Sequence, residues 1–320
     1  MSYIIKSIIK NTTPLHYIWR KYDWFKTKRI LSKDVRILPN NIFRKVFGRN
    51  IDWENPKNLI EKIYWMQLYT DTSLWTKCAD KYRVREYVKE KGCEDILNTL
   101  YGKWDNAKDI DWDSLPNSFV LKTNNSCGKV ILVKDKNNLD ITKTIKELNK
   151  WLNLKYGYRD AQFHYTRIKP CIIAEKLFEN QEDSSKSLVD YKIWCFNGVP
   201  ECVLVVYDRT KENYYLSSYD MGWNNISDVT FNQENKHYSG ENFPKPQSFD
   251  KMIECAKKLS SGIPQVRIDF YDIEGKAVFG EMTFTTGYGY YKEEYYNYLG
   301  SKIDLSKLEK LDQPNNPLKQ

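Results

Sequence analysis

The sequence predicts an α+β fold, and three observations carry that prediction. Apolar side chains recur at helical spacing in the first third of the chain. Two apolar runs flank a small-polar turn between residues 119 and 134. From residue 170 onward, strand-like runs dominate and pair through short turns, which reads as antiparallel hairpins mixed with helices.

In chain order, residues 1–35 read as basic helix or helices. Residues 55–75 open on Asn55-Pro56 and carry Leu59, Ile63, Met66 and Leu68, an amphipathic helix pattern. Asp80 to Glu90 reads as another helix with Asp80 as its N-cap. Phe119 to Lys122 and Lys129 to Lys134 are expected strands, and Ile141 to Leu154 an expected helix. Strands follow at Cys171–Phe178, Tyr191–Phe196, Glu201–Tyr207, Gln265–Tyr271 and Ala277–Thr283, with a helix at Phe249–Leu259. There is no internal repeat and no low-complexity tract.

At 320 residues and 41% hydrophobic content the chain can bury a large core, and its length suggests about two domains. Aromatic content of 15%, with 24 Tyr and 10 Trp, excludes a disordered polypeptide. The longest apolar runs are Tyr3–Ile9, broken by Lys6, and Val199–Tyr207, interrupted by Pro200 and Glu201. Both fall short of the roughly 20 residues a membrane helix needs, and no signal peptide is expected. The 7 cysteines are odd in number and contain no CxxC pair, and the 3 histidines are widely spaced. Neither a disulfide framework nor a zinc site is expected, and a reducing cytoplasm fits.

The net charge of +8 is localised. Residues 1–50 are strongly basic, with Asp23 and Asp34 their only acids, while the rest of the chain is near neutral. Mixed with Tyr, Trp, Phe and Ile, this stretch suits the anionic inner face of a membrane. A solvated helix face is the plain alternative. A charge excess confined to one end argues against nucleic acid as a partner.

Two stretches carry chemistry. In Phe119-Val-Leu-Lys-Thr-Asn-Asn-Ser-Cys-Gly-Lys-Val, one strand ends at Lys122 and a turn leads into the next. Such a hairpin can fold main-chain N–H groups over phosphates beside a fixed lysine. An ordinary hairpin with a surface lysine is the alternative. In Val266-Arg-Ile-Asp-Phe-Tyr-Asp-Ile-Glu-Gly-Lys-Ala-Val-Phe-Gly-Glu-Met-Thr, period two puts Arg267 and Asp269 on one face, and Glu281 with Thr283 on the matching face of the return strand. Adjacent carboxylates repel unless a cation or a proton bridges them. Mg²⁺ takes a few carboxylates plus phosphate oxygens. Solvent-facing charges on an edge hairpin are the alternative. Asp190 and Lys192 also share a strand face, Glu175-Lys176-Leu177 ends an apolar strand, and Lys81 stands at a helix start.

Lys81, Lys122 with its turn, Glu175-Lys176-Leu177, Asp190 with Lys192, Arg267 with Asp269, and Glu281, in that order, resemble the ATP-grasp superfamily. Ala79-Asp-Lys-Tyr-Arg-Val-Arg-Glu-Tyr-Val, Leu115-Pro-Asn-Ser-Phe-Val-Leu-Lys, Asp190-Tyr-Lys-Ile-Trp-Cys-Phe-Asn-Gly and Phe279-Gly-Glu-Met-Thr-Phe are similar to its TupA-like branch over roughly residues 39–305. The resemblance implies two α+β subdomains gripping ATP, behind a helical N-terminal segment. The implied division is 1–75 (basic helical region), 76–174 (small subdomain with the lid hairpin) and 175–320 (C-terminal subdomain with the metal site).

The implied ligands are ATP and Mg²⁺. Lys81 and Lys122 would hold the α- and β-phosphates. Thr123 to Lys129 would be a mobile lid, with Ser126, Gly128 and Lys129 on the phosphates. Glu175, Lys176 and the main chain at Leu177 would receive the adenine. Asp190 would hold the ribose, with Glu182 or Asp183 as rivals, and Lys192 would reach the phosphates. Asp269 and Glu281 would bind the metal, with Thr283 on a ligand or a metal-bound water. Arg267 would act on the transferred phosphoryl group. The implied reaction is ADP-forming ligation of a carboxylate to an amine through an acyl phosphate, on glycan-linked substrates of surface-polysaccharide or capsule synthesis. A kinase on the same scaffold and a glycosyltransferase are the alternatives.

Overall fold

The computed structural model describes residues 13–179, 185–210, 213–232 and 234–319, with side chains from residue 21 onward. The expectations for residues 1–12 and for Glu182 and Asp183 lie outside the described residues. Among those described, no helix is long and apolar enough to cross a membrane.

Two helices, α1 (Thr13–Lys33) and α2 (Ile37–Phe47), lead into α3 (Leu59–Tyr69). Asn58 starts α3 with a capping box: its side chain accepts from the Ile60 N–H, and Glu61 reaches back to the Asn58 N–H. The helix expected over 55–75 is shorter and broken. Thr70 is extended, and the Asp71 carboxylate accepts from the Ser73 N–H, setting up a separate α4 (Ser73–Ala79). Likewise α5 (Val84–Glu90) begins after the expected start, because the Asp80 carboxylate accepts from the N–H groups of Tyr82 and Arg83 and closes a turn there.

The first sheet joins β1 (Leu100–Trp104), β2 (Phe119–Thr123), β3 (Val130–Val133) and β4 (Ile172–Glu175) in the order β1-β4-β2-β3, all antiparallel. Helix α6 (Ile141–Leu152), capped by Asp140, covers it through Leu148 and Trp151, which pack with Phe119, Leu121 and Ile172. The strand expected over 171–178 leaves the ladder after Glu175, where the main chain of Lys176 is held by Thr99 and the Asn98 side chain.

The second sheet joins β5 (Asp190–Phe196), β6 (Val199–Tyr207), β7 (Tyr215–Tyr219), β8 (Val266–Ile273) and β9 (Lys276–Thr283) in the order β7-β6-β5-β8-β9, also antiparallel. A short α7 (Ser227–Thr230) and α8 (Phe249–Ser260) follow β7, and α9 (Glu293–Ser301) follows β9. One apolar core unites this sheet with residues from Leu31 to Ile96. Nearly all of α3 is buried in it, with α9 packed against the start of α3. Gly300 permits that approach, since a Cβ there would stand 2.1 Å from the Lys57 carbonyl oxygen. The α+β expectation holds.

Candidate functional site

Antiparallel pairing places Lys122 opposite Ile173 and Glu175 opposite Val120. The two charged residues are therefore diagonal neighbours on one face of the first sheet. Lys122 Nζ donates to Glu175 Oε2 at 2.9 Å, and Arg85 donates to Oε1 at 3.3 Å. Glu175 is buried between these two cations. Arg85 is thus a member of the cluster that sequence reasoning gave no role. It stood inside the quoted 79–88 stretch, but nothing local connects it to a residue 90 positions away.

The turn from Thr123 to Lys129 has two halves. Thr123, Asn124, Asn125 and Ser126 are all buried. The Asn124 side chain donates to the Lys169 carbonyl and accepts from the Cys171 N–H, while the hydroxyls of Thr123 and Ser126 meet at 3.1 Å. Lys81 Nζ donates to the Ser126 carbonyl at 2.6 Å, which brings Lys81 to the turn. Only the tip at Cys127 and Gly128 is exposed, and Gly128 takes φ +67. Lys129 does not join the other cations: its ammonium lies over the Trp151 ring. Lys176 turns toward Phe178 instead of the cluster, and Leu177 follows half-buried.

On the second sheet the register sets Lys192, Asp269 and Glu281 in one row across β5, β8 and β9. Arg267 and Thr283 are opposite each other one position along the same face. Asp269, 2% exposed, accepts from Arg267 Nε at 2.7 Å, from a terminal Arg267 nitrogen at 2.8 Å, and from Lys192 Nζ. Burial pushes the Asp269 carboxyl up, but the charges of Arg267 and Lys192 outweigh it and hold it below the ordinary carboxylate value. Arg267 also donates to the hydroxyls of Thr286 at 2.7 Å and Thr283 at 3.2 Å. The Thr283 hydroxyl donates in turn to Glu281 Oε1 at 2.9 Å, and Arg267 stands 3.6 Å from that oxygen. Asp190 pairs with Arg209 at 2.8 Å and Lys192 at 3.5 Å.

The pairing is shifted just beyond Asp269–Glu281, so that Phe270 faces Phe279 and Gly280 is the extra residue of a bulge. The charges of the two sheets reach one another at the tip of the Thr123–Lys129 turn, where partial desolvation and then Glu281 raise the Cys127 thiol, with Lys81, Arg267 and Lys192 opposing.

Among the described residues there is no group of three or more His, Cys, Asp or Glu side chains that suits a metal. Two neighbouring carboxylates still suit Mg²⁺, which completes its shell with phosphate oxygens and water. Glu281 fits directly. Asp269 stands opposite it, but both of its oxygens accept from Arg267 and one also from Lys192, so it would join a metal only with those bonds loosened.

The sequence profile described as TupA-like ATPgrasp matches residues 61–304. Curated proteins give no match. Among solved structures, D-alanine–D-alanine ligase from Bacillus anthracis complexed with ATP is 12% identical, with a TM-score of 0.45 over 74% of this chain and 68% of that one. The Helicobacter pylori D-alanine–D-alanine ligase is 15% identical (TM-score 0.40; 76% and 66% covered). N5-carboxyaminoimidazole ribonucleotide synthetase from Thermus thermophilus is 10% identical (TM-score 0.41; 69% and 49% covered).

Proposed function

The chain belongs to the TupA-like ATP-grasp family, and from that premise we propose that it is an ADP-forming carboxylate–amine ligase using ATP and Mg²⁺. Its product, on this reading, is an amine or amino acid joined to a carboxylate of a cell-surface polysaccharide or its precursor. The observation that carries the reading is the row Lys192–Asp269–Glu281 with Arg267 beside it, whose charges reach Cys127 at the tip of the turn that follows the Lys122 strand.

Lys81, Lys122 and Lys192 hold the phosphates, with Ser126, Gly128 and Lys129 closing over them. Glu175 and the main chain at Leu177 receive the adenine, with Lys176 beside them, and Asp190 receives the ribose. Each lysine has a partner now: Lys122 rests on Glu175, Lys192 on Asp269, and Lys81 on a carbonyl. Nucleotide binding exchanges these partners for phosphate oxygens, so the site does not leave unpaired charge behind. Glu281, aligned by Thr283, and Asp269 would hold Mg²⁺, which would neutralise phosphate charge when bound. A substrate carboxylate oxygen bonds to the γ-phosphorus as the bond to the β-bridging oxygen breaks, releasing ADP. Arg267 faces the charge developing on the transferred group. The amine then bonds to the acyl carbon and phosphate departs.

Peripheral contact of residues 1–50 with an anionic membrane from the cytoplasmic side belongs to this proposal, as does a subdomain boundary at residue 174.

The test is calorimetric titration of a non-hydrolysable ATP analogue with MgCl₂ into wild type, Glu281→Ala and Lys122→Ala. A charged hydrogen bond is worth about 1.5–3 kcal/mol, so each variant should bind about 10- to 150-fold more weakly. A folded wild type that ignores the analogue sinks the reading. Hydroxamate formation from hydroxylamine with the true carboxylate separates acyl-phosphate ligation from simple phosphorylation.

A further inference from the structure

Beside the lid lies a groove of about 250 Å³. Its wall is made by Tyr156, Tyr158, Tyr165 and Thr166 from the segment that enters β4, with Asn125 of the lid and Lys155. That volume falls below the roughly 300–1,000 Å³ of sites that enclose drug-sized ligands, and suits one ring. Its place along β4 is informative. Glu175 ends the strand, Lys122 pairs at Ile173, Thr123 pairs at Ile172, and the groove segment lies before residue 171. Glu175, Lys122, the lid and the groove therefore follow one another toward and past the start of β4. If adenine sits at Glu175, the γ-phosphate points to the groove.

Two further contacts tie the groove to the chemistry. The Tyr156 hydroxyl lies beside the main chain of Cys127 at the lid tip, and both Tyr156 and Tyr165 feel the charge of Glu281. Asn125 is 3% exposed, yet its amide oxygen has no hydrogen-bond partner among the described residues. A buried acceptor of this kind costs about 1–3 kcal/mol unless a donor reaches it. The lining itself holds one cation, Lys155, and no carboxylate; the negative charges that reach its tyrosines come from Glu281 and Asp160 outside it. Tyrosine rings present electron-rich faces that attract the C–H face of a saccharide ring, and a saccharide also supplies hydroxyl donors. We infer that this groove is the acceptor subsite and that it takes a single acidic sugar residue, its ring on the tyrosines and its carboxylate directed past the lid toward the γ-phosphate.

This inference rests on the ATP-grasp reading above, and its test keeps the two apart. Methyl β-glucuronide, methyl α-galacturonide and their neutral methyl glycosides are titrated into the full chain by saturation-transfer NMR, with and without the ATP analogue and MgCl₂. At least one uronide should bind, and more tightly than its neutral counterpart. Tyr156→Ala should weaken uronide binding by about tenfold or more, a loss of about 1.4 kcal/mol. Tyr156→Phe keeps the ring but loses the lid contact, and should restore most of that affinity. Lys155→Glu should weaken the uronides and spare the neutral glycosides. A wild type that binds the nucleotide analogue and none of the glycosides overturns the groove assignment alone. So does full uronide affinity in a Tyr156→Ala protein with a wild-type circular dichroism spectrum. Uronide binding without nucleotide binding would overturn the ATP reading instead.

Discussion

Single residues show how strongly this fold commits polar groups to its interior. His164 is buried against Trp75, Tyr165 and Phe284, and neither ring nitrogen has a hydrogen-bond partner among the described residues. Burial, helped by the Arg167 charge, depresses its pKa from 6.5 to about 3. In the unfolded chain His164 takes a proton near 6.5, whereas in the folded chain it stays neutral until far lower pH. Its contribution to stability is therefore complete above the ordinary value and is lost progressively as pH falls toward the folded one, at about 1.4 kcal/mol per pH unit. His164→Leu should remove close to one proton's worth of the slope of unfolding free energy between about pH 6 and about pH 4. Urea titrations at several pH values measure it, and an unchanged slope would mean that the imidazole finds a partner. Residues at this scale were legible where two neighbours share a strand: Arg267 and Asp269, or Glu281 and Thr283, follow from period two alone. Arg85 and Arg209 were not: Arg85 reaches Glu175 from 90 positions away, and Arg209 reaches Asp190 from just past the end of β6, outside any strand pattern.

Elements set which of those residues can meet. The β8–β9 hairpin brings Asp269 opposite Glu281, and the bulge at Gly280 aims the pair. A Cβ at Gly280 would lie 2.9 Å from the Asp269 carbonyl oxygen and 3.3 Å from the Tyr271 ring. The nearer atom is main chain in mid-sheet and cannot turn aside. Gly→Ala at a compatible site gains about 0.4–1 kcal/mol from the unfolded chain, but overpacking costs about 1–3 kcal/mol. Gly280→Ala should therefore be destabilising overall, and it should weaken binding of the ATP analogue with MgCl₂ by shifting Asp269 relative to Glu281. A thermal melt and the calorimetric titration read the two effects, and a variant as stable as wild type would show that the bulge has slack. Most strands were readable, because β-branched runs bounded by turns leave few alternatives. β1 and β7 were not: Leu-Tyr-Gly-Lys-Trp of β1 has no fully buried residue, and in β7 the buried Ser217 and Ser218 hide the apolar pattern that a buried strand usually shows. The helix over 55–75 was read as continuous because periodicity does not register a side-chain cap such as Asp71.

At the scale of the whole molecule, the large sheet and the N-terminal helices are one body. Leu31 and Val35, 0% and 4% exposed, belong to the same core as Trp194 and Ile268. Sequence reading saw in residues 1–35 mainly charge, because helical amphipathicity there is weak and the partner surface lies far along the chain. Burying one such side chain stabilises by about 1.5–3 kcal/mol. Against a total stability of about 5–15 kcal/mol, deleting residues 1–35 removes a large share of the margin, and the truncated protein should unfold at lower urea. Nucleotide binding should nevertheless survive wherever the truncated chain is folded, since no residue assigned to ATP precedes Lys81. The groove should respond differently. Trp24 of α1 packs edge-on against Tyr158 at 4.8 Å and lies under the Lys155 ammonium at 3.9 Å, so the N-terminal helix braces the wall proposed for the sugar. Truncation should thus separate the two ligands, keeping the affinity for the ATP analogue with MgCl₂ and weakening that for the uronide. Parallel titrations in a buffer where the truncated protein is fully folded make the comparison. Equal loss of both ligands would show that the N-terminal helices shape the nucleotide site itself. Loss of neither would show that the groove wall stands without its brace.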